Sequence, residues 1–130
     1  MTIFRTIALA VAVGLAPVAP AHAAEERKFD ATAFAAAQAQ KRPILIDVKA
    51  WWCPVCASQS RSIKRETAAA TYNTLVIFNV NYDRQKDVLR QFNVTKQATL
   101  IGFHGTRQTG RLDFVTDRAR INELLASTLR

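Results

Sequence analysis

Cys53 and Cys56, in the stretch Lys49-Ala50-Trp51-Trp52-Cys53-Pro54-Val55-Cys56, are the only two cysteines of this 130-residue chain. Two sulfurs at that spacing could form a static clip, hold a metal, or exchange electrons with another disulfide. A clip closing so small a loop restricts the unfolded chain little. A closed structural zinc site takes four ligands, and beyond residue 23 the chain adds only one histidine, His104, to the two thiols. Disulfide exchange needs only a thiolate that attacks and a second thiol placed to attack in turn.

The elements around the pair supply that placement. The run Ile44 to Ala50, "ILIDVKA", bounded by Pro43 and the Cys motif, reads as a short central strand buried on both faces. A helix is expected from Pro54 to about Tyr72, with Cys56, Ser60, Ile63, Thr67 and Ala70 on its inward stripe. Cys53 then sits at the helix N-terminus, where free amide N–H groups and the helix dipole stabilise a thiolate and lower its pKa. Pro54 suits the first turn, because its missing N–H has no intrahelical partner there. Cys56, one turn further in, is the second thiol.

Elsewhere the elements alternate. An Ala-rich helix is expected from Ala31 to Gln40 with Asp30 as its cap. A strand follows over Thr74 to Asn81, then a helix over "RQKDVLRQF" closed by Asn93. Strands over Ala98 to Phe103 and Gly110 to Val115 flank the turn "HGTRQT", and a last helix starts at Asp117. With a short strand at Glu26 to Phe29, the pattern predicts a mixed four- to five-stranded sheet with helices on both faces, an α/β fold. One domain, residues 24–130, suits this length.

Residues 1–23 read as a cleaved signal peptide: Arg5, an apolar run from Ile7 to Ala16, Pro17 and Pro20, then Ala21-His22-Ala23. The apolar run is well short of the ~20 residues that span a bilayer. The expected location is therefore the periplasm, an oxidising compartment. The formal net charge is +8, but the basic residues are scattered without aromatic interleaving, which argues against a nucleic-acid surface.

"ILIDVKAWWCPVC" resembles the strand and W-C-x-x-C segment of the thioredoxin superfamily. "LVIFNVNYD" resembles the next strand, "VLRQFNV" the helix and turn before the substrate loop, and "ATLIGFHG" the P-T-x-x-x-F strand and turn. The resemblance implies a thioredoxin-like fold, with Cys53 as nucleophile and Cys56 as resolving thiol. It implies a shielding and docking role for Trp52, and makes Asp47 the buried proton acceptor of the resolving thiol. Trp51 is a candidate for docking beside it.

Two departures from the family pattern stand out. Asn79 replaces the Lys that partners the buried Asp, and Lys49, two residues along from Asp47 on the same strand face, is the candidate substitute. Ala98 stands where the family has a cis-proline facing the cysteines. A cis bond costs about 3–4 kcal/mol before a non-proline, so a trans Gln97–Ala98 peptide is expected. The loop would still pair with an extended substrate, with Gln97 as a polar contact to substrate or sulfur.

The resulting expectation is a monomeric periplasmic thiol–disulfide oxidoreductase without cofactor or metal. It would reduce disulfide-bearing secreted proteins, with electrons drawn from a membrane donor. In the family that proline also keeps metal off the thiolates, so a copper-binding or metal-delivery module stays open as the alternative, the sulfur pair suiting Cu(I). His104 reads as an ordinary turn residue remote from the pair.

Overall fold

The computed structural model describes residues 23–130 and the isolated Gly14; the expected signal peptide lies outside the described residues. In chain order the elements are β1 (Glu25–Lys28), α1 (Ala31–Ala39), β2 (Pro43–Lys49), α2 (Pro54–Glu66), β3 (Val76–Asn81), α3 (Lys86–Gln91), β4 (Thr99–His104), β5 (Arg107–Asp113) and α4 (Arg118–Ser127). A single 3-10 turn, Ala70–Tyr72, precedes β3.

The five strands form one mixed sheet in the order β1-β3-β2-β4-β5. β1, β3 and β2 run parallel, while β4 is antiparallel to both β2 and β5. β2 is thus the central strand, and Ile44, Leu45, Ile46, Asp47 and Val48 are all buried, as a strand covered on both faces requires. Alternation divides its side chains: Ile44, Ile46 and Val48 join a core with α1 and α3, while Leu45 joins a second core with α2 and α4.

Local chemistry sets the boundaries. The Asp30 carboxylate caps α1 by accepting from Ala33 N–H at 2.8 Å, and Asp117 caps α4 by accepting from Arg120 N–H at 2.9 Å. Asn93 ends α3 at φ 52, the left-handed geometry that Asn tolerates.

Two boundaries differ from expectation. α2 ends at Glu66 rather than near Tyr72, because Thr67 turns its hydroxyl back to Ile63 O at 2.9 Å and closes the last turn. Tyr72 is then brought into the core by the separate 3-10 turn. β5 starts at Arg107 rather than Gly110: Gly105, at φ 57, makes a tight turn possible, and His104 pairs directly with Arg107. Among the described residues no helix is long and apolar enough to cross a membrane.

Candidate functional site

β2 ends at Lys49 and the chain enters α2 through Ala50, Trp51, Trp52 and Cys53. Cys53 is the N-cap of α2, in an extended conformation (φ −99, ψ 108), with Pro54 in the first turn. Its Sγ accepts from Cys56 N–H at 3.1 Å. Cys53 and Cys56 form a disulfide with Cα atoms 5.3 Å apart, and both are buried. One of the otherwise unpartnered amides of the helix start is therefore aimed at the Cys53 sulfur, an arrangement that favours negative charge there.

The two tryptophans separate. Trp52 is half-exposed, its Nε1 donating to Asp83 Oδ2 at 3.0 Å and its ring meeting the edge of Tyr82. Trp51 is 93% exposed. Phe114, at 46%, is the third exposed large apolar side chain among the described residues. Its N–H donates to Ala98 O at 2.9 Å, and Ala98 packs in one cluster with Ala50, Cys53 and Cys56. All three exposed aromatics thus belong to segments that adjoin the disulfide.

The loop facing the disulfide has a trans Gln97–Ala98 peptide, there being no cis bond among the described residues. Ala98 is fully buried and adopts φ 59, a left-handed conformation that costs a residue with a Cβ roughly 1–2 kcal/mol. Its N–H donates to Val48 O at 2.8 Å, which ties the loop to β2. Gln97 is half-buried, and neither its side chain nor its own N–H and C=O take part in a hydrogen bond among the described residues. No hydrogen bond joins Gln97 to either sulfur in this disulfide state.

Asp47 lies on the α2 face of β2, fully buried. Lys49, two residues on and on the same face, brings Nζ to 3.4 Å from Asp47 Oδ2 and equally to 3.4 Å from Glu26 Oε1. Lys49 therefore occupies the partner position expected of it. Asn79 does not pair with Asp47; its Nδ2 donates to Glu26 Oε1 at 2.8 Å. Burial raises the Asp47 pKa above the ordinary carboxylate range, and the Lys49 charge opposes this without cancelling it. Glu26 moves the other way, held low chiefly by the Asn79 hydrogen bond, with a smaller contribution from Lys49.

Asp47, Lys49 and Glu26 line a cavity of about 320 Å³ together with Ser60, Ile63 and Lys64 of α2. Ser60 lies one turn past Cys56, so the cavity reaches under the helix that carries the resolving sulfur. The cavity lining mixes apolar side chains with the charged groups of Glu26, Asp47, Lys49 and Lys64, and it is large enough to hold several water molecules.

One buried residue escapes the sequence reading. Gln59, not Ser60, is the fully buried polar side chain in the middle of α2, and its Nε2 donates to both Ala98 O at 3.0 Å and Val115 O at 2.9 Å. His104 lies at the opposite end of β4 from Thr99, its Nδ1 2.7 Å from Thr128 O. No group of three or more His, Cys, Asp or Glu side chains that could hold a metal ion occurs among the described residues.

The sequence matches the family described as Thioredoxin over residues 25–127. A thioredoxin of Alicyclobacillus acidocaldarius is 29% identical over 89 residues, 68% of this chain and 84% of its own length. A bifunctional thioredoxin reductase/thioredoxin of Mycobacterium leprae is 29% identical over 83 residues, 64% of this chain but 18% of that longer protein. The crystal structure of Trxlp from Edwardsiella tarda superposes with a TM-score of 0.75 at 36% identity, covering 78% of this chain and 98% of Trxlp.

Proposed function

The chain belongs to the thioredoxin family and is a thiol–disulfide oxidoreductase built on Cys53 and Cys56, and from that premise we propose that it reduces disulfides of secreted proteins in the periplasm. The observation that carries the reading is the Cys53 sulfur, capping α2 and held by Cys56 N–H, beside a loop whose Gln97 N–H and C=O are free to pair with an extended chain.

In the reduced protein the Cys53 thiolate attacks one sulfur of the substrate disulfide. A Cys53–substrate bond forms, the substrate disulfide breaks, and its other sulfur leaves as a thiolate that takes up a proton. Cys56 then gives its proton to ionised Asp47, through water in the cavity, and attacks Cys53 Sγ. The Cys53–Cys56 disulfide forms and the substrate leaves as a dithiol, two electrons richer. A raised pKa brings Asp47 closer to a thiol and makes it a better acceptor than an ordinary carboxylate. Lys49 attracts the carboxylate form and keeps the ionised base accessible.

Trp52, Trp51 and Phe114 give an incoming polypeptide apolar surface around the pair. The protein works as a monomer, and a membrane-held dithiol of the same two-electron chemistry returns it to the reduced state. The signal-like residues 1–23, with their Ala-x-Ala end, support the compartment.

Trapping tests the reading. A Cys56→Ser variant is expected to accumulate mixed disulfides with secreted proteins through Cys53, and Cys53→Ser to accumulate none. Adducts on neither variant, or full turnover by Cys53→Ser, would contradict it.

A further inference from the structure

Gln59 stands three residues past Cys56 on α2 and is 0% exposed. Its Nε2 spends both protons on main-chain carbonyls, those of Ala98 and Val115. Ala98 O accepts a second hydrogen bond from Phe114 N–H. The two segments joined in this way each contain a residue with a side chain in the left-handed region, Ala98 at φ 59 and Phe114 at φ 59. Such conformations persist where surrounding bonds over-determine them, and they concentrate at functional sites.

The glutamine is retained at a cost. Its Oε1 is buried without a hydrogen-bond partner, a penalty that an apolar side chain of similar size would not carry. What such a side chain could not supply is the pair of donors.

We propose that Gln59 is a positioning residue for disulfide exchange. By bridging the Ala98 and Val115 carbonyls, its carboxamide locks the loop facing Cys53–Cys56 at the position where a proline ring is missing, and holds the Gln97 peptide and the Phe114 ring in place for an incoming polypeptide. The proposal rests on the disulfide-exchange reading above and adds to it the element that orders the substrate-facing wall. Gln59 touches neither sulfur in this assignment; it acts through Ala98 and Phe114.

The test compares two substrates that differ in their use of that wall: insulin, an extended protein disulfide, and 5,5′-dithiobis(2-nitrobenzoate), a small disulfide needing only access to Cys53. In Gln59→Met, nearly isosteric but without a donor, kcat/KM for insulin should fall by about tenfold to a hundredfold, each of the two lost hydrogen bonds being worth up to about tenfold. The loss should lie mainly in KM, and the small disulfide should react at the unsubstituted rate. Amide hydrogen exchange at Ala98 and Phe114 should quicken.

Gln59→Glu supplies a second readout. Burial raises the pKa of the introduced carboxyl, which donates to one of the two carbonyls while protonated and to neither once ionised. The ratio of insulin to small-disulfide rate should therefore recover as pH is lowered, which a general loss of stability would not produce. Equal losses on both substrates, no loss on insulin in folded Gln59→Met, or a ratio in Gln59→Glu that ignores pH would each overturn the assignment. Inactivity of the unsubstituted reduced protein on both substrates would instead contradict the exchange reading, and the positioning role would fall with it.

Discussion

Under α1 and α3, the sheet is packed by Phe29, Phe34, Phe78, Phe92 and Phe103, whose rings meet mostly edge to face at centroid distances of 5.5 to 6.1 Å. Under α2 and α4 the core is mainly aliphatic, with Leu45, Ile63, Leu75, Ile77, Leu100, Ile121, Leu124 and Leu125, and Tyr72 is its one aromatic ring among the buried residues described. Asp47 of β2, Gln59 and Thr67 of α2 and Thr128 of α4 are buried on that second side. Aromatic packing gives the first face dense dispersion contacts and apolar burial, and Thr99, buried at its edge, satisfies its hydroxyl on Lys96 O and Asp113 Oδ1. The second face accepts a buried carboxylate and the orphaned amide oxygens of Gln59 and Asn79, all unfavourable for folding, and this is the face that carries the disulfide helix. The first face holds the fold together, while the second uses part of that stability to position chemistry.

Substitutions on each face can break or sharpen this division. The largest effect is expected from Cys53→Ser, which should abolish insulin reduction while leaving thermal unfolding of the reduced protein nearly unchanged, as followed by circular dichroism. Next is Phe34→Ala on the opposite face, which should cost about 3–5 kcal/mol in urea unfolding and leave the rate of the folded protein with a small disulfide intact. A matching loss of reactivity would mean that the two faces are not separable.

Asp47→Asn should slow release of substrate from the mixed disulfide by up to about a hundredfold, at the low end for proton-transfer catalysis, and should stabilise the fold. The sign follows from the raised pKa: the folded state binds the Asp47 proton more tightly than the unfolded chain. Native stability is thus highest below the ordinary Asp range and falls as pH rises toward the folded-state value. The gain from Asp47→Asn should therefore be present at neutral pH and vanish in acid, as measured by urea unfolding across pH. Lys49→Met removes the charge that opposes burial, so the pH at which Asp47 becomes an effective base should move upward in the pH–rate profile. Trp51→Ala, at a fully exposed site, is expected to change only KM for protein substrates, by a few-fold, consistent with one peripheral contact.

Much of this was legible in the sequence where a local rule governs it. The partnership of Lys49 with Asp47 follows from strand alternation, which puts residues two apart on one face, and the cap at Cys53 follows from a strand running straight into a Pro-started helix. Asn93 and Asp117 announced their helix ends by residue type.

Gln59 was not legible for a physical reason. Its partners lie 39 and 56 residues away in the chain, and both are main-chain carbonyls, which carry no residue signature. A helical stripe counted at four- and three-residue steps from Cys56 lands on Ser60, one position away from the truly buried side chain. The turn before β5 was read too long because hairpin length depends on the backbone state of Gly105 rather than on the polarity of "HGTRQT".

The central claim is that this disulfide is a reductant's disulfide, formed when Cys53 and Cys56 pass two electrons to a substrate. Its direct test is the midpoint potential of the pair, titrated against a dithiol/disulfide buffer with the two states resolved by thiol labelling. A midpoint more negative than about −200 mV, in the reducing part of the range for such pairs, is predicted, and a value near about −120 mV, at the strongly oxidising end, would contradict it.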